Sequence, residues 1–259
     1  YEIVPYFRAF NARPTRMNTS RKSRFLLFII LYLLVSSFTT NAQSYLYNFD
    51  SGSAEGWVSY TQTGTSWELG TPTASGFQPA FSAPTCWGTD LDSGYRGNTT
   101  AYLTSPMMQI GNLTDPYLSF RQFRYMPFGF DGFYLEYSRN GSTWQRLTGG
   151  LHADNWYNTT SVYVTSLPGF TGTSNGWQQS GIHLNYLGHV DSIKVRFVFN
   201  SYVFGSAQPG VLIDQISLMQ SLMPLNDMAA VSIVSPTNTG NNLPITLVVQ
   251  NNSAVSVDS

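Results

Sequence analysis

The stretch Ile193-Lys194-Val195-Arg196-Phe197-Val198-Phe199 alternates apolar and polar side chains, and its reading decides the fold. A period of two places Ile193, Val195, Phe197 and Phe199 on one face of a strand, turned toward a core. Working outward, residues 211–218 (VLIDQISL) read as a closing strand, and residues 133–138 alternate with Phe133, Leu135 and Tyr137 inward. Residues 117–125 (YLSFRQFRY) put Leu118 and Phe120 on one face but Phe123 and Tyr125 on the other, so a β-bulge near Arg121-Gln122 is expected to restore register. Shorter runs at 45–49, 57–60, 67–69 and 101–103 are bounded by Gly, Ser, Asn and Asp, and Asn140-Gly141 followed by residues 144–147 signals a hairpin. Many short strands without helical periodicity predict an all-β chain, an antiparallel jelly-roll β-sandwich.

Composition agrees. The 259 residues are 42% hydrophobic and 15% aromatic but only 10% charged, which argues against disorder and against a bundle built on Glu, Lys and Ala. The net charge of −1 hides an asymmetry: the first 42 residues hold six of the 13 basic residues and one acid. The rest carries seven basic and 13 acidic residues, a sign that repels phosphate backbones, so no nucleic-acid partner is expected.

That basic cluster has its own reading. Arg21-Lys22-Ser23-Arg24 precedes the apolar run 25–35 (FLLFIILYLLV), which falls well short of the ~20 residues that span a bilayer. Thr40 and Ala42 are small residues placed for cleavage after Ala42. Residues 17–42 are therefore expected to be a signal peptide, with 1–16 an upstream extension and no transmembrane span once the leader is removed; an uncleaved anchor is the alternative. The single cysteine, Cys86, is expected to be a buried small hydrophobe, with no His beside it in sequence to make it a nucleophile.

A second composition break at Met223-Pro224 precedes two strand-like runs at 226–236 and 245–251. Two strands cannot bury a core alone. Residues 223–259 are thus expected to be the opening of a further domain.

Five ordered motifs carry a family resemblance over residues 44–222. They are Asn48-Phe49-Asp50 with Gly56-Trp57, then 101–106 (AYLTSP), 116–120 (PYLSF), 131–138 (DGFYLEYS) and 210–216 (GVLIDQI). The series resembles MAM-type domains, in particular the bacterial MAM-like modules of secreted proteins, which implies a concanavalin-like or galactose-binding-like sandwich over 43–222. The chain lacks the paired cysteines of animal members, and Gln215 stands where the family pattern has a second Asp. Residues 223–259 resemble the start of a CARDB-type adhesion domain, which implies a truncated immunoglobulin-like sandwich.

Candidate site residues fall into two groups. Strand alternation puts Asp214 on the apolar face of Leu212, Ile216 and Leu218, where an unpaired carboxylate needs backbone donors, a proton or a cation. One reading is a structural Ca²⁺ held by Asp50, Asp214 and loop carbonyls, with Asp90 as a further ligand; the other is a carboxylate satisfied by loop amides. The ligand-binding candidates are Trp87, Asp90, Asp92, Tyr95, Trp156 and Trp177, drawn from loop-like stretches where flat rings and carboxylates would suit sugars. Trp144 is expected to pack beneath the Asn140-Gly141 turn.

No HExxH, GxSxG, P-loop or GxGxxG motif is present, His152, His183 and His189 lack zinc-ligand spacing, and Glu55, Glu68 and Glu136 form no recognisable glycosidase pair. The expectation is an exported, non-catalytic binding or adhesion module that recognises an extracellular glycan or protein through end loops. The alternative is the accessory domain of a secreted peptidase or other hydrolase.

Overall fold

The computed structural model describes residues 44–204 and 208–221 in full, and 228–234 and 246–251 as backbone. The leader expected at 17–42 and the extension at 1–16 lie outside the described residues. No helix among those described is long and apolar enough to cross a membrane.

In chain order the strands are β1 (Tyr45–Tyr47), β2 (Val58–Thr63), β3 (Trp67–Gly70), β4 (Cys86–Thr89), β5 (Thr100–Thr104) and β6 (Met108–Gln109). There follow β7 (Pro116–Tyr125), β8 (Gly132–Ser138), β9 (Gln145–Arg146), β10 (Ala153–Asp154), β11 (Thr159–Val162) and β12 (Leu167–Gly169). The series ends with β13 (Gln178–His183), β14 (Ser192–Asn200), β15 (Gly210–Gln220), β16 (Met228–Val234) and β17 (Thr246–Asn251). Every pairing is antiparallel.

Two sheets form the sandwich. One has seven strands in the order β10-β13-β7-β15-β4-β3, with β1 also on β15. The other has six in the order β2-β5-β14-β8-β9, with β6 also on β14. The chain crosses repeatedly from one sheet to the other, as a jelly roll does, and the expected all-β antiparallel sandwich is the fold. β11 and β12 form a separate hairpin joined to β8 through a bridge between Phe133 and Phe170. β16 and β17 pair with each other, with an irregularity between Ala230 and Ser232.

The core lies between the sheets. Ile193, Val195, Phe197 and Phe199 are fully buried, and Leu103 and Leu135 join them from the neighbouring strands. Phe197 meets Phe120 of the facing sheet edge-on at 5.0 Å and also touches Trp57, Trp67 and Phe133. Edge-to-face rings at that spacing add to the burial energy of each.

The phase slip in 117–125 has a different solution from the expected one. β7 runs through Arg121-Gln122 without a break, and the bulge sits in its partner β15, where the register shifts between Asp214 and Ser217 and Gln215 takes φ +43°. Phe123 stays on the outer face because that face is covered: Phe77, Ala80, Leu91 and Trp177 pack there against Phe123, Cys86 and Leu212. The bulge also corrects the expected placement of Asp214. It shares the outer face with Leu212, whereas Ile216 and Leu218, beyond the extra residue, turn into the main core.

The Asn140-Gly141 turn forms, with Asn140 Oδ1 accepting the Ser142 and Thr143 amides at 2.9 and 2.8 Å and Gly141 at φ +75°. Trp144 does not lie beneath it. It stands on the outer face of the six-stranded sheet, over the Arg196 guanidinium.

Candidate functional site: an open sheet face and a carboxylate seam

β1 and β4 share one edge of β15. β1 pairs with residues 216–218 and β4 with 212–213, so the bulge at Asp214-Gln215 lies at the gap between them. Into that gap turn Asn48 and Asp50, just past β1, and Ser82, just before β4. Asp214 is fully buried; its Oδ2 accepts the Ser82 amide at 2.9 Å and its Oδ1 the Gln215 amide at 2.7 Å. Ser82 Oγ lies 3.0 Å from both Asp214 Oδ1 and the Asn48 carbonyl oxygen, but its one proton can serve only one of them. Asp50 Oδ2 accepts Asn48 Nδ2 at 2.7 Å, while the buried Asp50 Oδ1 has no hydrogen-bond partner among the described residues. The seam holds more acceptors than donors. Burial, together with the charge of Asp50, pushes the Asp214 carboxyl up to about 6, against the lowering effect of the Ser82 and Gln215 bonds.

Asp90 is not part of this seam. Its Oδ1 accepts the Ser93 amide and hydroxyl at 3.0 and 2.6 Å, closing a turn that holds Asp90 itself at φ +61°. Asp92 is exposed on the same loop. Cys86 is fully buried, and burial raises its thiol far above the ordinary range, which makes it the inert hydrophobe expected.

Of the aromatic residues drawn from apparent loops, Trp87 and Tyr95 are buried, and Trp156 and Trp177 are half-buried. Trp87 lies inside β4, 5% exposed, and Tyr95 is 1% exposed, so neither ring can stack on a ligand. Tyr95 ties loops together: its hydroxyl donates to Asp131 Oδ2 at 2.5 Å, and Asp131 Oδ1 accepts the Tyr202 amide at 2.6 Å. Trp156 packs on Phe120, Tyr157 and Phe170 and leaves no room for a Cβ at Gly149, whose φ is +81°. Trp177 fastens the covering loop, with Nε1 donating to the Pro79 carbonyl at 2.9 Å and its ring against Phe81 and Phe123. Their sequence context of Gly, Asn, Asp and Pro looked like exposed loop; what decided their fate was cover from distant segments.

Tyr60 heads another set of rings, in which Tyr102, Tyr134 and Trp144 are half-buried. On the outer face of the six-stranded sheet, Tyr60 of β2 is 63% exposed and stacks on Tyr102 of β5, centroids 5.9 Å apart and planes 26° from parallel. The Arg196 guanidinium of β14 lies 4.6 Å from the Tyr102 centroid and 4.1 Å from that of Trp144, held between the two rings. Glu136 of β8 fixes it, with Oε2 at 2.6 Å from Nε and 2.5 Å from Nη2. Next to Glu136, Arg146 of β9 lies 3.8 Å over the Tyr134 ring. The result is a ribbon of aromatic rings and guanidinium planes crossing five strands, roughly 19 Å at the usual inter-strand spacing. Its members are the outward residues of the alternating strands, and exposed Tyr at such positions was the sequence signal that could have marked them.

A second exposed group crowns one end of the sandwich. Phe130, Tyr163, Tyr202 and Phe204 touch in series at 5.8, 5.0 and 5.7 Å, with Phe204 84% exposed. These residues come from the β7–β8 loop, the β11–β12 hairpin and the segment after β14.

No known protein family matches the chain, and no curated protein matches it. Solved structures do show likeness. The K1 cleaved adhesin domain of Lys-gingipain from Porphyromonas gingivalis W83 superposes with a TM-score of 0.41 at 12% identity, over 69% of this chain and 99% of that one. The K2 cleaved adhesin domain of Lys-gingipain gives 0.45 at 13%, over 69% and 100%. A third is TmCBM61, solved in complex with β-1,4-galactotriose, at 0.37 and 12%, over 67% and 94%. None of these likenesses assigns the chain to a family, MAM-type and CARDB-type included.

Proposed function

We propose that this chain is an exported, non-catalytic module that binds an extracellular glycan on the open face of its six-stranded sheet. The ribbon Tyr60–Tyr102–Arg196–Trp144 carries this reading. Sugar rings present apolar C–H faces and equatorial hydroxyls, which match aromatic planes flanked by fixed polar groups. Here Glu136 and Gln62 supply acceptors beside the rings, and strands hold every member of the array but Trp144, which stands just before β9. A row of this length suits a short oligosaccharide better than a single ring.

A structural Ca²⁺ at the seam belongs to the same proposal. The unpartnered Asp50 Oδ1, the buried Asp214 carboxylate and the Asn48 carbonyl form a hard-oxygen donor set of the kind Ca²⁺ takes. The cation would bind β1 to the bulge of β15 and remove the excess of acceptors; its role would be to fix the fold, not to touch ligand.

Two measurements test the proposal. A glycan array probed with the full chain should give hits that Tyr102→Ala abolishes while the far-ultraviolet spectrum stays unchanged; hits that survive this substitution would move the site off the sheet face. Calorimetric titration of Ca²⁺ should release heat with the native protein and none with Asp214→Ala, and silence from the native protein removes the cation.

A further inference from the structure

We propose that the open sheet face selects anionic glycans, those bearing carboxylate or sulfate groups. The inference rests on the glycan reading above and adds the ligand class. Its basis is where the few charges lie. Residues 43–259 hold seven basic and 13 acidic side chains, yet the six strands of this sheet carry three of the basic ones, Arg146, Lys194 and Arg196, against one acid, Glu136. A molecule that is negative as a whole therefore presents one positive sheet.

The charges on this sheet are not matched in pairs. Glu136 is used by Arg196, which leaves Arg146 and Lys194 without an acidic partner among the described residues. Arg146 Nε, Nη1 and Nη2 are covered, with the guanidinium 3.8 Å from the Tyr134 centroid and 5.5 Å from that of Tyr157, so it adds to the positive charge of the sheet without itself being open to a ligand. Lys194, the one lysine after residue 22, runs alongside Gly141 of the Asn140-Gly141 turn. Its strand partner is Ser138 of β8, and two residues on Arg196 pairs with Glu136. Lys194, on the outer face with Arg196, would meet the acidic substituent while the sugar rings lie on Tyr102 and Tyr60. Attraction of this kind is long-ranged at low salt and fades as the Debye length shrinks.

Binding of the full chain to three galactose-based polymers tests this: polygalacturonate, a sulfated galactan and a neutral galactan. At least one acidic polymer should bind tenfold or more tightly than the neutral one at low ionic strength, with the advantage shrinking at high salt. Lys194→Gln should lower acidic-polymer affinity several-fold. Glu136→Gln should raise it, because it frees Arg196; a merely structural role for Glu136 predicts a fall. Neutral galactan bound as tightly as the acidic polymers would overturn the selectivity and leave the glycan reading standing. No binding to any of the three would overturn both.

Discussion

The outer faces of the two sheets differ in almost every respect that matters. The seven-stranded sheet is sealed: the segment before β4 lies across it, Trp177 fastens that segment, and Phe123 and Leu212 are buried on a face where strand alternation alone would put polar groups. The six-stranded sheet is covered only by its own long outward side chains: Val198 is 1% exposed between Tyr102 and Tyr134 of the neighbouring strands, while Tyr60 stands out into solvent. Apolar side chains on an outer face reveal a cover, and the stacked Tyr and Arg on the other face are what the proposed glycan contact rests on. The sealed sheet supplies rigidity that the six-stranded one uses, since a ribbon of rings is held in line only as well as the strands beneath it.

The comparison can be broken most severely from the shared core. Phe197→Ala removes a ring that both sheets pack on and should cost about 3–5 kcal/mol, read from the urea midpoint at constant slope. A cost below about 1 kcal/mol would mean that the sheets do not depend on each other. Next, Leu212→Ala on the sealed face should cost about 2–3 kcal/mol and speed amide exchange over residues 77–84. Unchanged exchange there would show the cover to be held by something other than the minor cluster.

The seam gives a pH effect of intermediate size. The Asp214 carboxyl titrates near 6 in the folded protein against 3.8 as its ordinary value, so between those limits the native state holds a proton that the unfolded chain has lost. This group therefore destabilises the metal-free protein above about pH 6, and the penalty is relieved as pH falls toward 4. Asp214→Asn should flatten that part of the stability profile, and so should saturating Ca²⁺ on the native protein; parallel profiles would remove Asp214 as the source.

Smallest in stability is Tyr60→Ala on the outer face of the six-stranded sheet, within about 0.5 kcal/mol. Its effect on glycan affinity should nevertheless be tenfold or more. If stability suffers and binding does not, the ribbon is a packing feature.

The sandwich itself was legible. Strand alternation in 193–199 and 133–138 named the inward side chains correctly because each strand has one face turned to the core, and period two then reports burial directly. The sequence reading also grouped Asp50 with Asp214, and in the structure the charge of Asp50 acts on the Asp214 carboxyl. The same method failed at Trp87 and Tyr95. Their local composition is that of exposed turns, but exposure depends on which distant segments fold over them, and that information is not local. Trp144 failed in the opposite sense, placed beneath a turn by sequence and found over a guanidinium.

By itself the sequence determined the all-β class, the alternation that fills the core and the scarcity of charge, because these follow from side-chain period and composition. Only the tertiary structure decided where the bulge sits, which sheet face is covered and which rings and cations stand together on the open one. Those outcomes depend on contacts between residues far apart in the chain, and no periodicity within a single strand encodes what will lie across it.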